Sequence, residues 1–103
     1  MLEVLGDGNQ EKSYLYIDDC IDALVLGMKL CNKGLEIYNV GSKDSIKVKR
    51  IVELLLEELG IDNIVIKYKG VDGGRGWKGD VKLMLLDTKK IESLGWKARY
   101  NSE

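Results

Sequence analysis

The stretch Gly6-Asp7-Gly8-Asn9-Gln10-Glu11-Lys12-Ser13-Tyr14-Leu15-Tyr16-Ile17-Asp18-Asp19 decides the reading of this chain. Ahead of it, residues 1–5 (MLEVL) read as an extended run, and Gly6, Asp7 and Gly8 make a turn. Within it, Tyr14 to Ile17 is a short strand-like run. At its end, Asp18 or Asp19 caps a helix by accepting an orphan backbone N–H. Beyond it, Ile21, Leu24, Val25 and Met28 fall at i, i+3, i+4 and i+7, on one helical face. Cys31 continues that face, and Gly34 follows its end.

The rest of the chain extends the same alternation of elements. Residues 36–41 (EIYNVG) alternate in polarity and predict a strand. Ser45 is an N-cap candidate for a second helix, whose face is Val48, Ile51, Val52, Leu55 and Leu59 and whose C-terminal glycine is Gly60. Residues 63–69 (NIVIKYK) place Ile64, Ile66 and Tyr68 on one side of a strand. Residues 70–79 hold five glycines and form a loop, and residues 81–86 (VKLMLL) run extended. Asp87 caps a short third helix carrying Ile91 and Leu94 and ended by Gly95, with Trp96 behind it as a core anchor. The expected fold class is α/β, with about three helices and short strands in a single domain spanning residues 1–103. Only Met1 precedes the first strand-like run, and residues 100–103 (YNSE) resemble the start of another helix. Both ends therefore read as cuts from a longer polypeptide.

Composition narrows the function classes. At 103 residues and 45 % hydrophobic, the chain has material for one modest core. Its 16 Lys and Arg against 17 Asp and Glu give a net charge of −1, without the basic excess of a nucleic-acid-binding domain. No apolar run approaches the ~20 residues of a membrane helix, and no secretory signal is present. A cytoplasmic protein with no nucleic-acid or membrane partner is expected. The chain has no His, so neither a Ser-His-Asp nor a Cys-His site is available. Two cysteines alone do not complete a tetrahedral zinc site. On one helix, Cys20 and Cys31 would lie ~16 Å apart, beyond disulfide reach, so both are expected as reduced core thiols. No P-loop is present, and no tyrosine is followed four residues later by a lysine.

Gly74, Gly76 and Gly79 formally satisfy G-x-G-x-x-G after a strand-like run. A dinucleotide loop works because a helix begins there and aims its N–H groups at the pyrophosphate. Here extended residues 81–86 follow, so the match is read as a flexible loop within reach of a ligand and not as a cofactor site.

The opening stretch resembles a segment of the extended short-chain dehydrogenase/reductase family, the NAD-dependent nucleotide-sugar epimerases and dehydratases. Their pattern is G-D-G-x-Q-x-R-D-[FW]-[VIL]-[YH]-V-[DE]-D, followed by a helix with an alanine where Ala23 stands. Three more blocks follow in the family's order: Glu36 to Ser42 (EIYNVGS), Gly79-Asp80, and Asp87-Thr88-Lys89-Lys90 with Leu94-Gly95-Trp96-Lys97. The resemblance covers nearly the whole chain. It implies the small C-terminal substrate-binding domain of such an enzyme, without a complete Rossmann fold. The NAD-binding Rossmann half and the family's Tyr-x-x-x-Lys pair would lie upstream, so the resemblance implies no catalytic residue and no cofactor bound by this chain, with NAD in the full-length parent. The implied partners are a nucleotide diphosphate sugar, such as a UDP- or dTDP-sugar, and the Rossmann half.

On this resemblance, Lys12 stands where the family has an arginine that contacts the diphosphate, and Asp80 stands where an aspartate accepts from the nucleotide ribose. Arg75, within the glycine loop, and Lys78 are further phosphate candidates. Against these stand a solvated lysine, a turn aspartate and a surface salt bridge. Trp77 is read as packing over the loop, with stacking on a base as its other role. A second reading comes from another class: a free-standing interaction or assembly module that keeps the fold without the ligand. In either case, separation from the Rossmann half would leave an apolar face exposed, and a homodimer or other self-association is expected.

Overall fold

The structure, a computed structural model, describes all 103 residues. They form three helices and short strands, grouped into two compact units. The first unit comprises residues 1–12 and 46–84, and the second comprises residues 13–45 and 85–103.

In the first unit, strand β1 (Leu2–Leu5) pairs in parallel with β4 (Ile66–Lys69), in a register from Leu2 opposite Ile66 to Leu5 opposite Lys69. A parallel pair needs a crossover, and helix α2 (Val48–Leu59) lies between the two strands in the chain. A second, three-stranded sheet is centred on β2 (Glu11–Lys12). It is antiparallel to β3 (Ile46–Lys47) and parallel to β5 (Leu83–Met84). Val4, Ile46 and Val52 are the buried apolar residues of this unit.

The start of α2 departs from expectation. The N-cap position is Lys47, with no side-chain cap, and not Ser45. The reason is tertiary: the carbonyls of Gln10 and Gly8 accept from the amides of Val48 and Lys49, each at 3.0 Å, so the orphan donors are satisfied by a neighbouring segment. Gly60 closes the helix at φ 64°, as its position in the sequence implies. The inward face is Val48, Ile51, Val52 and Leu56, while Leu55 and Leu59 are exposed. The long loop contains only a single 3-10 turn, Asp72–Gly74.

In the second unit, α1 (Ile17–Leu30) and the short α3 (Lys89–Glu92) enclose a core of Ala23, Ile91 and Trp96, with Leu26, Tyr38 and Val40 packed against it. Trp96 is buried as expected, and its indole N–H donates to the carbonyl of Asp19 at 3.0 Å. Asp87 accepts from the Lys89 amide at 3.0 Å, although the residue at the N-cap position is Thr88.

Six expectations for this unit are corrected. Tyr14 to Ile17 form no strand, because the chain has no ladder partner there and enters α1 at Ile17. Neither Asp18 nor Asp19 caps α1: the Asp19 carboxylate turns inward and accepts from the Arg99 side chain and from the Arg99 and Tyr100 amides. Ile21, Leu24, Val25 and Met28 do share a helical face, but that face is exposed, and the face turned inward carries Asp19, Ala23, Leu26 and Gly27. Cys20 is half-buried and Cys31 exposed; both are free, and neither is a core residue. Residues 36–41 likewise have no strand partner. Residues 100–103 form no helix, and Ser102 is held by hydrogen bonds to Asp44.

Candidate functional site

The site lies in the first unit, where β2 and the glycine-rich loop converge. Glu11 pairs with Leu83 and Lys12 with Met84, so β2 and β5 run side by side. This pairing brings Lys12 to Asp80, 68 residues away in the chain, with Nζ 2.7 Å from Oδ1. The other carboxylate oxygen accepts from the Gly76 amide at 3.1 Å and lies 3.5 Å from the Gln10 side-chain amide. Asp80 is buried, and the Lys12 hydrogen bond, followed by the Gly76 amide, holds its carboxyl below the ordinary carboxylate value against the opposing effect of burial.

Arg75 is fixed by carbonyls: its Nε donates to the Asp80 carbonyl at 3.2 Å and its Nη1 to the Asp72 carbonyl at 3.1 Å. It forms no salt bridge, so its positive charge is left without a carboxylate partner. The loop that carries it is tied to the first turn by the Asp7 amide, which donates to the Gly74 carbonyl at 2.9 Å, and the Lys82 ammonium donates to the Gly73 carbonyl. Val71, Asp72, Arg75, Lys78, Gly79 and Asp80 line an open cleft of about 870 Å³. Arg75 and Lys78 present positive charge there, which suits an anionic group such as a phosphate.

All four site residues expected from the sequence therefore fall in one region. Lys12 and Asp80 touch, Arg75 grips the Asp80 main chain, and Lys78 lies in the same cleft wall. Trp77 is corrected: it is exposed and does not pack over the loop, and the Lys12 ammonium sits 5.0 Å from its ring centroid, within cation–π reach. Gln10 was missed as a site residue. It is 2 % exposed; its amide nitrogen donates to the Leu5 carbonyl and its oxygen accepts from the Gly8 amide, each at 3.0 Å. Its signal was the glutamine of the opening motif, which served only for the resemblance.

The Gly74, Gly76, Gly79 run does not fit a dinucleotide. A single 3-10 turn ends at Gly74, and the chain runs on to β5 without a helix. No helix N-terminus is aimed at a pyrophosphate, and no step of NAD chemistry is assigned to these residues.

No family model matches the chain. Curated relatives do. The chain is 32 % identical over 94 residues to a putative UDP-glucose 4-epimerase of Methanocaldococcus jannaschii, covering 91 % of this chain and 28 % of the relative. It is 32 % identical over 97 residues to GDP-L-fucose synthase 1 of Arabidopsis thaliana, covering 90 % of this chain and 27 % of the relative. Among solved structures, the UDP-glucose 4-epimerase of Thermotoga maritima with UDP-glucose superposes with a TM-score of 0.77 at 33 % identity, over 95 % of this chain and 29 % of that one. MoeE5, in complex with UDP-glucuronic acid and NAD, superposes with a TM-score of 0.79 at 27 % identity, over 96 % of this chain and 31 % of that one.

The chain belongs to the NAD-dependent epimerase/dehydratase family. It spans about three-tenths of the length of the relatives it matches. The family's fold agrees with the small mixed α/β architecture described above. Nothing in these relatives supports the reading of a free-standing interaction module. No helix is long and apolar enough to cross a membrane.

Proposed function

We propose that this chain is the nucleotide-sugar-binding, C-terminal portion of an NAD-dependent sugar epimerase or dehydratase, and that it is catalytically incomplete by itself. The observation that carries this reading is the uncompensated Arg75 guanidinium, which shares an 870 Å³ cleft with Lys78 and Asp80. Arg75 and Lys78 take the diphosphate of a UDP- or dTDP-sugar. Lys12, held by Asp80, adds positive charge nearby, and the Asp80 carboxylate accepts from the ribose when Lys12 turns to phosphate. In the full-length parent, NAD supplies the hydride chemistry, and its Rossmann portion is the partner of this chain. The setting is cytoplasmic, and the isolated chain self-associates through the apolar face that α1 exposes.

The test is a titration of UDP-glucose, dTDP-glucose, UDP and GDP, followed by backbone amide shifts. Shifts should gather at Lys12 and residues 72–80, and Arg75→Ala should weaken them at least about tenfold, since a charge-assisted phosphate contact contributes roughly 1.5–3 kcal/mol. Absence of shifts there at millimolar ligand would refute the reading.

A further inference from the structure

One turn brings two side chains to the Lys12 ammonium. The Asp80 amide donates to the Trp77 carbonyl at 3.1 Å, which closes the turn Trp77-Lys78-Gly79-Asp80, and Gly79 within it has φ +93°. A positive φ at the third position marks a type II turn, and glycine adopts it without strain. The first residue of the turn offers the Trp77 ring, whose centroid is 5.0 Å from Lys12 Nζ. The last offers the Asp80 carboxylate, 2.7 Å from the same nitrogen. The carboxylate is pinned by the Gly76 amide at 3.1 Å, and the Asp80 carbonyl by Arg75 Nε at 3.2 Å. Trp77 is 56 % exposed and lies outside the buried core, so packing does not account for its ring standing over Lys12. Asp80 takes one of the three ammonium donors, and the lysine side chain stays a quarter open to solvent, and so to an incoming anion.

We infer that Trp77 is a positioning residue for Lys12: its ring keeps the ammonium at the site while the lysine exchanges the Asp80 carboxylate for a ligand phosphate. The inference rests on the nucleotide-sugar reading and deepens it by assigning how Lys12 changes partner. A lysine released from its carboxylate regains the freedom of a four-carbon stem, which phosphate binding must then remove. A hydrogen bond is directional and is lost as the ammonium turns. The ring quadrupole instead attracts a cation from any point over its face, so the ammonium moves from carboxylate to phosphate without leaving Trp77. The attraction also strengthens as a bound ligand displaces water from the contact. An aliphatic side chain at position 77 offers no such hold.

The experiment is a double-mutant cycle read by UDP titration of the full chain, followed by the amide shifts of residues 72–80. Trp77→Leu should weaken UDP about fivefold, the size of a partly covered cation–π contact, and Trp77→Phe should restore most of the loss. In Lys12→Ala, adding Trp77→Leu should change the affinity by less than about 1.5-fold, because the cation that the ring holds is gone. Trp77→Gln runs the same cycle if the leucine variant does not fold. Equal losses with and without Lys12 would mean that the ring meets the ligand or shapes the loop itself, and would overturn the inference, as would an unchanged affinity in Trp77→Leu. If UDP moves no amide of residues 72–80, the nucleotide-sugar reading falls and this inference with it. If UDP binds and Arg75→Ala weakens it while Lys12 and Trp77 show no coupling, this inference alone falls.

Discussion

The Lys12 ammonium lies 2.7 Å from the Asp80 carboxylate, joining a two-residue strand to the exit of a glycine-rich loop. The lysine side chain is a quarter exposed and the aspartate almost wholly covered, so the carboxylate has exchanged its water for Lys12 and the Gly76 amide. Removing one partner of such a pair leaves the other buried without compensation.

Acid should therefore loosen this region. The folded Asp80 carboxyl is held below its ordinary value, so the stabilisation it contributes is complete above about pH 4 and fades as the pH falls toward the lowered folded value. Asp80→Asn should lower the urea midpoint at neutral pH and flatten the acid limb of the stability profile. Equal midpoint losses for the variant at neutral pH and at about pH 3 would show that the carboxylate charge is not the stabilising feature.

Trp96 joins α1 to the segment after α3. It is 6 % exposed, touches Ala23 and Ile91, and donates to the Asp19 carbonyl. Trp96→Ala should cost about 3–5 kcal/mol through the cavity it leaves, a large share of the stability of a small protein. Trp96→Phe keeps a ring but loses the indole donor, and should cost less. Chemical denaturation of the three proteins checks the order.

Helix α2 was legible because its apolar residues recur at the helical period and Gly60 ends it. The cap of that helix was not, because the acceptors at its start are the Gln10 and Gly8 carbonyls, which only the folded chain brings there. Strands β2, β3 and β5 are two residues each, too short for any alternation to show, and they exist only through their pairing. Periodicity found the apolar stripe of α1 but not the direction it faces: a chain that supplies only part of a core can leave its most apolar stripe outside. At the site, Lys12 and Asp80 were reached through the motif resemblance, since no local pattern links residues 68 positions apart, while Arg75 and Lys78 were reached as cations of the glycine-rich loop. Gln10 was passed over because a neutral amide signals neither charge nor catalysis, although its buried side chain braces the turn.

Gly60 at the end of α2 and Gly74 in the loop separate backbone from steric demand. Gly60 has φ +64° and open space around a would-be Cβ, so Gly60→Ala should cost about 1–2 kcal/mol, the left-handed backbone penalty alone. Gly74 has φ +78°, and a Cβ there would stand 2.0 Å from the Asp7 carboxylate, which accepts from the Asn9 amide. Gly74→Ala should therefore cost more and also move the Asn9 and Arg75 amide resonances, because either the Asp7 carboxylate swings away from the Asn9 amide or the loop shifts to clear it. Equal midpoint losses for the two variants would contradict this packing.

The exposed stripe of α1 sets the behaviour of the isolated chain in solution. Leu24 and Met28 are 65 % and 73 % exposed, with Ile21 beside them on the same helical face. Contiguous apolar surface of this kind drives association, because each contact removes it from water. Sedimentation at hundreds of micromolar should show dimers or larger species, and Leu24→Glu with Met28→Glu should return the chain to monomer. The double variant should leave the core intact, since neither residue packs on Ala23, Ile91 or Trp96. A strictly monomeric profile for the unaltered chain would mean that this face is tolerated in water, and the argument from its exposure would fail.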